Sequence, residues 1–401
     1  MKPESISAAQ DRPMATALLV VAAIIVWAYP FATIVPYDYW HALLPWWRQI
    51  AGAGRIRAFA TPIGNYTPPY LYLLSATTLL DGLLPPLIAL KLLSTAGAAW
   101  LVFALYRLLR TCGARHPAEG AVASLILPTL IINVPVLAQA DTFWLAPCVL
   151  AVSASIRRKA LAMVLYASLA FAVKAQAIFL APFVLAALFA NRAPWWLWLL
   201  PIPVYCAAML PAWLVGWPAS DLLTVYVRQT QWHYASGLTF VSDAANPWAA
   251  LRFLDYAFAI RIFWAGYAAA ALAAALFVWR FSKPMRTPQA LAAAALSAAI
   301  IPFFLPGMHE RFFALAEILS FALAWTRPKR RTVFAAIGLQ FSLIAAFAGW
   351  KLGMPLLSSF AWLFSGAAML LLAGSGNAPE YDVCEVIVDA RLTDIHAETV
   401  G

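Results

Sequence analysis

Apolar stretches recur along the whole chain, each interrupted by a short polar or charged segment. A helix needs about 20 apolar residues to cross the hydrocarbon core of a bilayer. Stretches near or approaching that length fall at about 14–35, 84–109, 121–138, 142–156, 160–173, 176–190, 195–215, 262–279, 288–305, 312–325, 333–350 and 355–373. The pattern predicts an all-α polytopic membrane protein of about twelve transmembrane helices, with residues 1–373 forming one membrane domain. The first stretch is too long for a secretory signal and lacks a small-x-small cleavage site, so it is expected to remain as a helix. The stretches at 160–173 and 176–190 are expected to pair as a hairpin, because both flanks, Arg157-Arg158-Lys159 and Arg192, favour the cytoplasm. Each arm reaches only about 22 Å. Lys174 at the tip would therefore stop inside the outer half of the membrane, where a cation needs water or an anion.

Composition agrees. The 401 residues are 64% hydrophobic and 11% charged, far from the soluble average of about half apolar and a quarter charged. The formal net charge of +10 could suggest nucleic acid, but the Lys and Arg residues sit in short clusters between apolar runs and form no basic face. Threading the spans from a cytoplasmic N-terminus puts most of the 27 Lys and Arg inside. It also leaves two longer external loops, at 36–69 and 216–261, and a polar cytoplasmic tail at 374–401. Long loops in a compact domain are more often functional than idle. Four cysteines, Cys112, Cys148, Cys206 and Cys384, occur singly and predict neither a disulfide framework nor a zinc site.

Ionisable residues at membrane depth are costly unless paired or wet, and so mark candidate chemistry. The threading sends Asp38, the pair Gln139 and Asp141, the pair Lys174 and Gln176, and the run His309-Glu310-Arg311 to the external side. Asp38 follows the first span and precedes Trp40, Trp46 and Trp47. It reads equally as a solvated acid beside an interfacial aromatic belt or as a carboxylate base able to take a hydroxyl proton. His309-Glu310-Arg311 interrupts an apolar run; a local ion pair would account for Glu310, whereas a phosphate site would use both cations, with Lys174 as a further point charge. Asn65 and Tyr66 open a Pro68-Pro69 exit from the first external loop, for which a rigid turn is a sufficient reason. No phosphate-binding or dinucleotide glycine loop and no H-E-x-x-H helix occurs, and the acids do not cluster, so neither a cofactor nor a metal is predicted.

Taken in order, these segments resemble the GT-C superfamily of integral membrane glycosyltransferases. Tyr37-Asp38-Tyr39-Trp40 and the exit from Asn65 to Tyr72 resemble the first external loop of bacterial mannosyltransferase-like members. Ala138-Gln139-Ala140-Asp141 is similar to a Gly-Gln-x-Asp segment, Lys174-Ala175-Gln176 to a Lys-x-Gln segment, and His309-Glu310-Arg311 to a late element shared with lipid-linked oligosaccharide glucosyltransferases. The chain departs from the pattern in having Ala138 in place of glycine and a single first-loop acid. The resemblance implies inverting transfer of a hexose, mannose first and glucose second, from a polyprenyl phosphate carrier to a lipid-linked or envelope glycan acceptor. The setting would be the bacterial inner membrane, with the site facing the periplasm. It implies Asp38 as base, His309, Arg311 and Lys174 on the donor phosphate, and Gln139, Asp141, Gln176, Glu310, Asn65 and Tyr66 around the sugar or acceptor. The expected partners are the polyprenyl phosphate sugar donor, a lipid or glycan acceptor and membrane lipids, with no nucleic acid. Two other classes share an outward cationic cavity: a flippase for lipid-linked saccharides, and an O-antigen-type polymerase or ligase.

Overall fold

The computed structural model describes residues 11–235, 244–253 and 256–375, so nearly all of the tail expected at 374–401 lies outside the described residues. Among the described residues there are helices and no strands. In chain order they are α1 (Pro13–Thr33), α2 (Leu44–Ala53), α3 (Pro68–Thr77), α4 (Pro86–Thr111), α5 (Pro117–Ile126) and α6 (Pro128–Val136). Then follow α7 (Asp141–Ile156), α8 (Ala160–Val173), α9 (Ala175–Ala190), α10 (Trp196–Val215) and α11 (Ala219–Ala235). The series ends with α12 (Tyr256–Phe281), α13 (Thr287–Phe304), α14 (Ala314–Thr326), α15 (Arg330–Lys351) and α16 (Pro355–Ser375). Helix stands at each of the twelve apolar stretches of the sequence.

Their lengths fall into two classes. Seven helical segments, in α1, α4, α10, α12, α13, α15 and α16, are long and apolar enough to cross a bilayer. The pair α5 and α6, bent by 55° at its break, would make an eighth crossing. Pro128 is the cause: it starts α6 without an N–H, and Leu127 before it is extended. Polar groups exposed by the break find partners inside the protein, as they must in lipid. The Thr129 hydroxyl donates to Glu317 Oε2 at 2.7 Å, and Gln340 Oε1 accepts from the Thr129 backbone N–H at 3.3 Å. The others are short. Helix α7 has 16 residues, α8 has 14 and α14 has 13, so each spans only about 20–24 Å of a hydrocarbon layer near 30 Å thick. Asp141 begins α7, Lys174 follows α8, and Arg311 lies just before α14. Stunted helices thus bring these polar ends together within the bundle, where Asp141 meets Lys174 and Arg311.

Alanine-rich α13 runs through the interior, with Ala290 and Ala292–Ala295 buried. Small side chains allow close helix approach where hydrophobicity cannot discriminate protein from lipid. The Ser297 hydroxyl on α13 accepts from the Phe183 N–H and donates to the Phe179 carbonyl, both at 3.1 Å, fastening α9 to the centre. Gly97 does the same for α4 and α7. A Cβ there would fall 2.2 Å from Thr142 Oγ1, so only glycine lets α4 lie against the first turn of α7.

The two external loops expected from the sequence contain helix. After Asp38 a π-helical turn (Tyr39–Leu43) continues into α2, which buries Leu44, Trp47 and Ile50 at three-residue spacing, as a helix lying on a surface does. The second segment contains α11. Neither approaches bilayer-spanning apolar length, which is why the hydropathy pattern leaves them as loops.

Lys91 fixes where α1 delivers the chain. Wholly buried on α4, it donates through Nζ to the carbonyls of Pro30 at 2.8 Å and of Phe31 and Ile34 at 2.7 Å. A helix end leaves its last carbonyls short of intrahelical partners, and here one ammonium serves those of Phe31 and Ile34 and adds a second donor to that of Pro30, which also accepts from the Ile34 N–H at 3.2 Å. Lys91→Met is expected to cost roughly 2–4 kcal/mol, because buried carbonyls lose a charged donor. Thermal unfolding in detergent would register this as a lower midpoint, and an unchanged midpoint would show that the cap is not holding α1.

Candidate active site

Asp38, Gln139, Asp141, Lys174 and Arg311 come from four separate regions of the chain and meet in one polar network. The Gln139 amide Nε2 donates to Asp38 Oδ2 at 2.6 Å. Gln139 is itself positioned by its backbone, since its carbonyl accepts from the Ser94 hydroxyl of α4 at 2.8 Å. Just before it, Ala138 has φ 50°, the left-handed region that favours glycine. The backbone there explains why a glycine would suit this position, and shows that the alanine keeps the same turn.

Asp141, fully buried, is the centre of the charges. Its Oδ1 accepts from Lys174 Nζ and from Trp144 Nε1, each at 2.7 Å. Its Oδ2 lies 3.7 Å from Arg311 Nε. Arg311 Nη1 in turn stands 3.6 Å from Asp38 Oδ2 and 4.0 Å from Glu310 Oε1. Lys174 is 4% exposed. The anion that its depth demands is Asp141, and the Tyr66 ring lies 5.2 Å from its ammonium. Because desolvation raises the strength of such pairs and also the cost of breaking them, the buried members hold one another in place. Asp38 is the open end, its side chain 31% exposed. Three buried atoms, Asp141 Oδ2, Arg311 Nε and Gln176 Oε1, have no hydrogen-bond partner among the described residues.

Further expected positions lie around this line. Gln176 is buried two residues beyond Lys174, in a 3-10 turn. The His309 ring sits edge-on to Phe312, with centroids 5.3 Å apart, and Glu310 is buried beside Arg311. Thr67, following Tyr66, donates to the carbonyl of Val173 at 2.8 Å and so ties the Asn65–Tyr66 exit to the Lys174 turn. Tyr70 is buried on α3; that burial, with Tyr66 and Asp141 nearby, holds its phenol well above its usual titration range, so it is neutral. No group of three or more His, Cys, Asp or Glu residues among the described residues could hold a metal ion.

Sequence reasoning missed three contributors. Trp144 supplies a second donor to Asp141, one helical turn on, a spacing that the sequence shows but does not mark. Lys91 was hidden inside an apolar span. Lys351, exposed at the end of α15 and lying over the Trp350 ring, is within electrostatic range of Asp38, Glu310 and Arg311. A lysine that the charge threading puts between two spans on the external side runs against the positive-inside tendency, and that was the available signal.

No family model matches the chain, and no curated protein matches it in sequence. Among solved structures it is similar to ArnT from Cupriavidus metallidurans, whose crystal structure is of the protein bound to undecaprenyl phosphate. The likeness has a TM-score of 0.53 at 13% sequence identity and covers 90% of this chain and 77% of ArnT. The chain thus has an all-α polytopic membrane fold shared with ArnT.

Proposed function

We propose that the protein is an inverting glycosyltransferase that moves a hexose from a polyprenyl phosphate to a hydroxyl acceptor on the periplasmic side of the bacterial inner membrane. The observation that carries this reading is the half-exposed carboxylate of Asp38 within 3.6 Å of Arg311, at the open end of a buried charge network. A likeness in fold to ArnT, with undecaprenyl phosphate bound in that structure, supports the donor class. Mannose is the first candidate sugar and glucose the second, on the motif resemblance.

Asp38 takes the proton of the acceptor hydroxyl as its oxygen attacks the anomeric carbon. The bond from that carbon to the phosphate oxygen breaks on the opposite face, and polyprenyl phosphate leaves with the electron pair. Arg311 provides a planar donor fork for the departing phosphate, and exposed Lys351 a mobile point charge. His309 lies beside them as a further donor. Lys174 acts by position: its ammonium is engaged by Asp141, which in turn aims Arg311. Gln139 orients Asp38, and Gln176 and Glu310 line the sugar side.

Charge placement also supports this reading over a flippase. A carrier needs its polar path open alternately to both faces, whereas these groups converge at one end of α7, α8 and α14.

The test is transfer from labelled polyprenyl phosphomannose and phosphoglucose to a membrane extract by protein purified into lipid. Asp38→Asn keeps an oxygen for the Gln139 amide but removes the base, and is expected to lower transfer by about a hundredfold or more. Wild-type-like transfer by that variant would remove Asp38 from the mechanism, and movement of labelled lipid across vesicles without transfer would favour the carrier. Lys174→Met strands a buried carboxylate and is expected to destabilise by roughly 3–5 kcal/mol. Adding Asp141→Asn should restore much of the unfolding midpoint in a detergent melt, since the stranded charge is then gone.

A further inference from the structure

Away from the charged network, α9, α12 and α13 leave between them an apolar groove of about 780 Å³. One wall is the α9 face of Ala181, Leu185 and Phe189, and the other is the α12 face of Ala275, Trp279 and Ser282, each recurring every three or four residues. We infer that this groove is a lipid site, holding an acyl chain of a phospholipid whose anionic headgroup sits on the cations at its mouth. The inference goes beyond the transfer reading and does not depend on it.

Packing holds the groove open. Ser297 of α13 bonds the Phe183 N–H and the Phe179 carbonyl of α9, and α12 packs against both α9 and α13. The Phe189 ring meets Trp198 edge to face, with centroids 4.7 Å apart, so that wall is supported from behind. The short side chains of Ala181 and Ala275 leave the space between the helices. Every lining residue but Ser282 is apolar, and the Ser282 hydroxyl donates to the Val278 carbonyl one turn back. The walls therefore ask for hydrocarbon and offer a polar ligand nothing.

Length and direction fit one leaflet. Ala181 to Phe189 covers about 12 Å, close to the roughly 15 Å that is half of a 30 Å hydrocarbon layer. Both faces belong to the last turns of their helices, so the groove ends where α9 and α12 end. Exposed Trp195, Trp196 and Trp279 lie at that end, as tryptophan does at the level of lipid headgroups.

Charge supplies the class. Arg192 lies just past α9, and Lys283 and Arg286 lie in the connection between α12 and α13. All three are exposed, and among the described residues none of them enters a salt bridge. Arg280 stands beside them, 5.4 Å from the Phe281 ring centre. The chain carries no Asp or Glu from 142 to 220 or from 256 to 309, so neither wall brings its own counter-charge. An apolar groove with a cationic mouth is complementary to a lipid of net negative headgroup. The carrier of the proposed reaction is the poorer occupant. Helix α9 spans about 24 Å, and Lys174 precedes its first residue, so a phosphate at Arg192 sits a whole helix away from the network of Asp141, Lys174 and Arg311.

Purified protein in detergent is given equimolar dioleoyl phosphatidylglycerol and dioleoyl phosphatidylcholine, and retained lipid is counted by native mass spectrometry. The wild type is expected to retain phosphatidylglycerol with a preference of about tenfold or more. Ala275→Phe fills the groove from an exposed position and leaves the charge, whereas Arg192→Gln with Lys283→Gln and Arg286→Gln clears the mouth and leaves the groove. A cation near an anionic lipid surface contributes about fivefold, so the triple variant is expected to lose about tenfold or more in retention, and Ala275→Phe a similar amount. Equal retention of the two lipids by the wild type, or unchanged retention in the triple variant, would overturn the assignment. So would loss in the triple variant without loss in Ala275→Phe, which would mean a diffuse attraction to a basic surface without a site. Displacement of phosphatidylglycerol by added undecaprenyl phosphate would hand the groove to the carrier, and a dimer that Ala275→Phe dissolves would hand it to a second copy of the chain; either result also defeats the inference.

Discussion

A buried carboxylate that must be neutralised where water is scarce is the constraint on which the rest of this structure depends. Asp141 has no exposure, and an unpaired charge there would cost several kcal/mol, a large share of the stability of a fold. Lys174 and Arg311 answer it from opposite sides, and the Trp144 indole adds a neutral donor. Since Arg311 also faces Asp38, neutralising Asp141 fixes the distance between the exposed acid and the guanidinium. Stability and placement of the candidate catalytic groups thus come from the same contacts.

Helix length is the second determinant. Were α7, α8 and α14 of full bilayer length, their polar ends would emerge at the outer surface and be solvated separately. Stopping short keeps them within the protein instead, where Thr67 and Tyr226 of the two loop segments donate to the carbonyls of Val173 and Phe171 at the end of α8. Ser297 and close alanine packing bind α9 to α13, which compensates for a helix too short to be stable as an independent span.

The position of Asp38 has a further support behind it. Lys91 caps the carbonyl end of α1 from α4, and Ser94, three residues along the same helix, holds the Gln139 carbonyl. One face of α4 therefore positions both partners of the 2.6 Å bond between Gln139 and Asp38.

The sequence by itself determined the spans, because hydropathy is a local property: each apolar run must be helical in lipid to satisfy its own backbone. It pointed to the helix break at Lys174 as well, since flanking positive charge and arm length are both readable along the chain, and to the polar segments of the site by their rarity in an apolar background. Helices in the external segments were not legible, being too short and too mixed in composition to stand out. Partner choice was not legible either. That Lys174 spends its charge on Asp141, that Lys91 caps α1 and that Gln139 donates to Asp38 are contacts between residues far apart in sequence. They depend on how helices pack, and only the tertiary structure decides which charges meet when many pairings would satisfy the same count.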